Sequence, residues 1–395
     1  MSRQTPAPQP LTVLHLAHPS TGGVARVVTD LVRAQTRAGV HAVVACPAEG
    51  ELPTTAREAG ARVVPWATRR EPGPGMPREA LEASRLVDRW LPHLAHLHGV
   101  RAGLAGRLAV RGRLPTVYQP HGWSFDTAPG LTSALTLGWE RFATRWADRV
   151  LCVSEGERLH GRSQQVRGCW TVIRNGVDLG RFRYAEDGDR AEARARLRRH
   201  HGIDPRAPLA VCVGRLCPQK GQDLLLEAWS TVRTRLPEAY LALVGDGPDR
   251  DALHGARPSR VALVPHTDEP ELWYTAADLV VSASRWEGMA LVPLEAMAVG
   301  RPVLLTDVAG ARESLPAELR RSCLVPPGQP AALAGALTTL LADPGRLAAL
   351  GRTGHQHVRA GFAVDRTTSA VLRLYHDLLA RHAPTAPPVE EGVRP

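Results

Sequence analysis

Short apolar runs alternate with amphipathic stretches along this chain, and the alternation plays through twice. In the first half "LTVLHLA", "HAVVACP", "ARVVPW", "LAHLHG", "PTVYQPHG", "DRVLCVS" and "TVIRNG" have strand character. Between them lie helical periods such as "GVARVVTDLVRAQTRAG" and "REALEASRLVDRWL". The second half repeats the scheme with "LAVCVG", "AYLALVG", "VALVP", "DLVVSAS", "RPVLLTD" and "SCLVPP". Buried strands separated by helices form parallel sheets covered on both faces. A chain of 395 residues is too long for one ordinary core. The expected architecture is therefore α/β, with two doubly wound domains. Residues 1–178 form the first, 179–207 a charged, strand-poor linker, and 208–363 the second. A last helix over 364–381 carries Val371, Leu374, Tyr375 and Leu378 at helical spacing and is expected to pack back on the first domain. The Pro-rich residues 383–395 read as a disordered tail. Open α/β sheets bind ligands beyond the carboxyl ends of their strands, so the cleft between two such domains is the default site.

Composition narrows the classes. The six cysteines (46, 152, 169, 212, 217 and 323) form no C-x-x-C pair and fall mostly in apolar runs. They read as reduced, buried thiols of a cytoplasmic protein, with neither a disulfide nor a zinc framework. The start, "MSRQTPAPQPLTVLHLAHPS", has no secretory core, and no segment approaches the ~20 apolar residues of a membrane span. Net charge is +10 and unevenly spread: residues 1–178 hold 22 Arg against 14 acidic residues, residues 179–395 hold 27 basic against 25 acidic. A basic first half suits an acidic partner such as nucleic acid, anionic lipid or a phosphorylated substrate, or reflects an Arg-rich proteome.

Among 49 basic residues Lys220 is the only lysine. It stands in "CVGRLCPQKGQDLLLEAW", which runs strand, loop, helix. Arg215 and Lys220 project from the loop, and the helix starts near Gly221. A planar fork, a compact point charge and the free N–H groups of a helix start suit a diphosphate; two solvated surface cations are the plain alternative. Downstream, "SASRWEGMALVPLEAMAVGRP" sets Glu287 on a loop after a strand and Glu295 eight positions on, in a helix. Carboxylates there can accept charge-assisted hydrogen bonds from vicinal hydroxyls, of a ribose at the helix and a sugar ring at the loop. The alternative is two ordinary solvated acids.

Taken together, these segments resemble the retaining GT-B glycosyltransferases of family 4. Glu287 and Glu295 match the family's E-x7-E motif, and "GRLCPQKG" its G-R-x-x-x-x-K-G loop. "HPSTGGVARVV", "HLHG", "QPHG", "ADRVLCVSE", "VIRNGVD" and "LVGDGPDR" fall in the family's order. The resemblance implies a GT-B fold, two Rossmann-like domains facing a central cleft. It implies that Gly214, Arg215 and Lys220 hold the diphosphate of a nucleotide sugar, that Glu295 binds the ribose, and that Glu287 lies against the donor sugar. Gly288 and the Met289–Ala290–Leu291 backbone come near phosphate or sugar, while Gly22 and Gly23 let the first domain approach the donor. His121 stands near the transferred sugar. Asn175 and Asp178 shape the interdomain turn, and Gly245 and Gly247 the loop near the nucleotide. Met289–Ala290 replaces the frequent Phe-Gly, and His266 replaces a usual glycine.

The activity so implied is hexosyl transfer, with retention, from a nucleotide-diphosphate sugar to a hydroxyl of a cell-surface glycan, glycolipid or secondary metabolite. UDP is the leading carrier, and GDP follows. No ligand cluster with metal-site spacing emerges, so no metal or other cofactor is expected. Arg101, Arg107, Arg111 and Arg113 in "GVRAGLAGRLAVRGRLP" read either as a patch for anionic membrane or as a solvated helix face. Trp139 and Trp146 read as acceptor contacts or as core. A nucleotide-sugar 2-epimerase shares the architecture but needs no acceptor to release nucleotide. A nucleic-acid-binding protein would explain the charge, yet no such motif accompanies it.

Overall fold

The computed structural model describes residues 10–68, 75–127 and 130–382; the expected tail at 383–395 lies outside them. Among the described residues thirteen strands form two wholly parallel sheets. The first holds β1 (Thr12–Ala17), β2 (His41–Cys46), β3 (Arg62–Pro65), β4 (Leu94–His98), β5 (Thr116–Gln119), β6 (Arg149–Cys152) and β7 (Trp170–Val172), in the order β3-β2-β1-β4-β5-β6-β7. The second holds β8 (Leu209–Val213), β9 (Tyr240–Val244), β10 (Val261–Val264), β11 (Leu279–Ser282), β12 (Val303–Thr306) and β13 (Leu324–Val325), in the order β10-β9-β8-β11-β12-β13. The central strands are buried on both faces, which is why they read as unbroken apolar runs. Strand order reverses between β1 and β4 and between β8 and β11. Those two switch points are where doubly wound sheets open a crevice at the carboxyl ends of their strands.

The helix Gly22–Arg37 buries Ala25, Val28 and Val32 beside β1 and β2. Its Val27 and Leu31 meet Val371, Leu374, Tyr375 and Leu378 of the last helix, Val364–His382. The carboxyl-terminal helix thus lies on the first domain, and each apolar side chain it buries contributes roughly 1.5–3 kcal/mol.

Two expectations need correction. Residues 179–207 are not a linker. Asp187–His201 is a helix whose Ala193 and Leu197, with Phe182 and Ile203, enter the core of the second domain. Arg194 is buried against the Asp278 carboxylate at 2.6 Å and the Ala207 carbonyl at 2.7 Å, so a charge-rich stretch packs by pairing. Nor do Arg101 and Arg107 form a basic patch. On the helix Gly99–Val110 the Arg101 guanidinium makes two bonds to Glu79, at 2.7 and 2.8 Å. Arg107 is wholly buried, bonded to Glu140 at 2.8 Å and set over the Tyr118 ring at 3.9 Å. Only Arg111 and Arg113 face solvent, and Arg113 is tied to Asp88 and Ser84. Of the free cysteines, Cys169 is exposed and the other five are buried.

Candidate active site

Both switch points carry expected residues. After β8 the chain passes Gly214 and Arg215 into the short turn Pro218–Lys220 and then the helix Gln222–Arg235. Gly221 joins turn to helix at φ 63°, packed so closely on the Ala283 carbonyl that a Cβ would overlap it. That approach presses the β8 loop onto the end of β11 and delivers Lys220 to Glu287. The ammonium donates to Glu287 Oε1, which also accepts from the Ser284 hydroxyl at 2.8 Å. Burial opposes the Lys220 charge, but the Glu287 carboxylate outweighs it and the ammonium ends above its ordinary range. Arg215 contributes its carbonyl to the Gln222 amide at 2.9 Å. Its guanidinium has no hydrogen-bond or ion-pair partner among the described residues.

Glu295 lies deeper, on the helix Leu291–Ala298, and is 1 % exposed. Its Oε1 accepts from Arg26 of the first domain; its Oε2 accepts from the Tyr274 hydroxyl at 2.7 Å. Burial disfavours the Arg26 cation, yet the Glu295 charge more than offsets this and raises its pKa. Tyr274 is pushed well above its ordinary value by burial and then by Glu295. A carboxylate has about four lone-pair sites, so two protein donors leave room for two hydroxyls.

The lobes touch along one seam. The Gly288 carbonyl accepts from the Ser154 hydroxyl at 2.8 Å, and the Met289 carbonyl from the Asn175 amide at 2.8 Å. A Cβ on Gly288 would stand 3.2 Å from the Gly122 nitrogen and 2.9 Å from Glu157 Oε1. The His121–Gly122 turn after β5 therefore lies against the Glu287–Met289 loop, with His121 in the left-handed region at φ 56°. Ala290 caps the Leu291–Ala298 helix with extended backbone. A Cβ on Gly23 would be 3.9 Å from Leu291, so the first-domain glycine loop reaches that helix start; Gly22 bonds Glu51 at 2.7 Å. Beside the seam a cleft of about 340 Å³ opens between the lobes, where Arg26, Asp30 and Arg33 face Asp178, Arg181 and Glu295.

The structure joins Lys220 to Glu287 directly and sets Glu295 apart, on the cleft with Arg26. Arg215 touches neither acid. Gly245 and Gly247 back the Gly214 and Leu216 carbonyls, so they buttress the Arg215 loop. Asn175 clamps the opposite lobe, Asp178 Oδ1 accepts from the Gly180 and Arg181 amides at 2.8 and 3.2 Å, and His266 lines the cleft. Arg26, Tyr274 and Ser284 escaped the sequence reading. So did the histidines beneath His121, although "HLHG", with His96 and His98 two apart on a strand, puts two imidazoles on one face.

Residues 21–181 match the profile of "Glycosyltransferase Family 4" and residues 207–343 that of "Glycosyl transferases group 1". The lipopolysaccharide core biosynthesis mannosyltransferase LpcC of Rhizobium leguminosarum bv. viciae is 32 % identical over 78 % of this chain and 87 % of that protein. The chain belongs to the group 1, family 4 glycosyltransferases. Another relative, the D-inositol 3-phosphate glycosyltransferase of Salinispora arenicola, is 35 % identical over 77 % of this chain and 72 % of its own. Among solved structures, Anabaena HepE in complex with UDP and glucose superposes with a TM-score of 0.80 at 21 % identity, covering 93 % of this chain and all of that one. The sucrose-phosphate synthase of Thermosynechococcus elongatus gives 0.78 at 22 % identity, over 94 % of this chain and all of its own. The fold of this glycosyltransferase is GT-B, two Rossmann-like sheets with their switch points turned to one seam. No described helix is long and apolar enough to cross a membrane.

Proposed function

We propose that this glycosyltransferase moves a hexosyl unit from a nucleotide-diphosphate sugar, with UDP as the leading carrier, to a hydroxyl acceptor with retention of configuration. The observation that carries the reading is the Lys220–Glu287 pair at the second switch point, with Arg215 on the same β8 loop and Glu295 on the helix that follows the Glu287 loop. UDP in the complex of HepE agrees with it.

In this reading a diphosphate enters beside the β8 loop, Lys220 turns from Glu287 to phosphate oxygens, and Arg215 closes on them. Glu287 is then free to accept from a sugar hydroxyl, and the ribose adds its hydroxyls to Glu295. The anomeric carbon–oxygen bond breaks with its electron pair going to the phosphate. The acceptor oxygen bonds the carbon on the same face, and its proton passes to the departing phosphate. Lys220 and Arg215 stabilise that developing charge, so no metal is required of the chemistry. Turnover insensitive to chelator is expected.

A peripheral contact with anionic membrane, if the acceptor is lipid-linked, falls to the helix Gly130–Ala143 of the cytoplasmic enzyme. That helix exposes Leu131, Leu135 and Phe142, with Arg145 over the Phe142 ring at 3.8 Å. Trp139 and Trp146 instead pack on each other, ring centroids 6.1 Å apart. The deciding experiment is a screen of nucleotide sugars for acceptor-dependent nucleotide release. Release that never depends on acceptor would favour epimerisation and overturn the transfer.

A further inference from the structure

Beneath His121 lies a row of imidazoles that the reaction as described leaves idle. His15 on β1 pairs in register with His96 on β4, and Ala17 with His98. All three histidines therefore stand on one face of the sheet, and all three are fully buried. His15 Nε2 meets Gln35 Oε1 at 2.9 Å, His15 Nδ1 meets His98 Nε2 at 3.0 Å, and His98 Nδ1 meets His121 Nε2 at 3.3 Å. The planes of successive rings differ by 18° and 25°, so the rings meet nearly edge to edge in one ribbon. His96 caps it from the side, its ring centroid 3.9 Å from that of His98.

The row has a direction, set by its inner end. Gln35 Nε2 faces the Tyr375 hydroxyl at 3.4 Å, and that hydroxyl bonds His96 Nδ1 at 2.5 Å. Gln35 Nε2 donates to the Tyr375 oxygen, which leaves the hydroxyl proton to point at His96 Nδ1. The Gln35 carbonyl then faces His15 and can only accept. His15 must carry its proton on Nε2 and accept at Nδ1. His98 in turn donates from Nε2 and accepts at Nδ1, and His121 donates from Nε2. Gln35 thereby orders three imidazoles from the inner end, while the Gln119 amide on β5 adjoins His96 and His98 from the side, and the Nδ1 lone pair of His121 is left without a partner among the described residues. Burial keeps the row neutral: His15 falls to about 4, His121 to about 3, and His96 and His98 lie well below their ordinary range.

We propose that His15 and His98, anchored by Gln35, are positioning residues that hold His121 as its Nε2–H tautomer, so that Nδ1 accepts a hydrogen bond from a hydroxyl of the transferred sugar. The role rests on the reading that His121 adjoins that sugar. The row itself does not.

The test uses enzyme with 15N-labelled histidine, imidazole NMR and donor kinetics on wild type, Gln35→Met and Gln35→Glu. Wild-type His121 is expected to be a single Nε2–H tautomer. Gln35→Met removes the acceptor, so His15, His98 and His121 should populate both tautomers and kcat should fall about tenfold, one hydrogen bond's worth, with donor KM little changed. Gln35→Glu, when ionised, keeps an acceptor at that position and should restore both tautomer and kcat at pH values where the carboxylate is charged, despite any shared loss of melting temperature. An Nδ1–H tautomer of His121 in the wild type, or tautomers unmoved by Gln35→Met, would overturn the row. A tautomer shift with unchanged kcat would overturn the role in transfer, and is distinct from a wild type that transfers nothing. His15, His96 and His98 also bring one ring nitrogen each within 4.8 Å; zinc bound there stoichiometrically would replace the hydrogen-bonded row and overturn it too.

Discussion

Replacing Lys220 by arginine keeps the charge and changes only its shape, which makes it the sharpest probe of why this chain spends its single lysine there. The ammonium is about three-quarters enclosed, with 24 % of its side chain exposed against 12 % for Glu287. Gly214 lies alongside its stem: even a Cβ there would be 3.8 Å from Lys220 Cε, an ordinary contact. A guanidinium is longer and planar and spreads its charge over a fork, so it cannot set the same compact point charge against Glu287 and a phosphate. Two unit charges about 4 Å apart near a protein surface interact by about 4 kcal/mol at an effective dielectric of 20. Losing one such donor to a developing oxyanion costs about 3–4 kcal/mol, or a 10²–10³-fold fall in kcat. Lys220→Met should show that full loss, and Lys220→Arg at least a tenfold loss. The assay is nucleotide released from the donor per second, at saturating donor. Lys220→Met,Glu287→Gln separates stability from chemistry: it removes the unpaired carboxylate and should recover melting temperature while activity stays lost. Wild-type turnover in Lys220→Arg would refute the point-charge argument, and wild-type turnover in Lys220→Met the role itself.

Three further outcomes follow from the geometry. Arg26→Ala leaves the Glu295 carboxylate with only Tyr274; because Arg26 itself is 27 % exposed, the loss falls below the ~3–5 kcal/mol of a broken fully buried pair. A lowered melting temperature is expected, and an unchanged one would contradict the contact. Stability should fall with acidity because the row of histidines is neutral when folded. Each such folded pKa is depressed below 6.5, so the contribution is complete above that pH and is lost as pH drops toward about 4, the value for His15. Chemical denaturation from pH 7 to 4 measures this, and a flat profile would contradict the burial. Vesicles containing anionic lipid should float the protein, and Leu131→Asp,Leu135→Asp should sink it; equal flotation would remove that helix as the contact.

The alternation of apolar runs foretold two parallel sheets because strands buried on both faces have no polar side to confuse the period. The contact between the loops after β8 and β11 has a local signal too: Gly221 stands where the backbone turns tightly against the Ala283 carbonyl. Charge was the poorer guide. Arg101, Arg107 and Arg194 look solvated in sequence, yet each finds a carboxylate 22, 33 and 84 residues away. The Arg26–Glu295 contact spans 269 residues, and nothing local announces it. The imidazole row depends on the register of β1 against β4, which only the folded sheet supplies.

Melting temperature in the presence of uridine diphosphate addresses the central claim most directly. Wild-type protein should be stabilised by the nucleotide in a concentration-dependent way, through mass action on the folded state. Arg215→Ala,Lys220→Met should lose that response while keeping its own fold. A nucleotide response equal in the two proteins would contradict the claim that these cations grip a diphosphate.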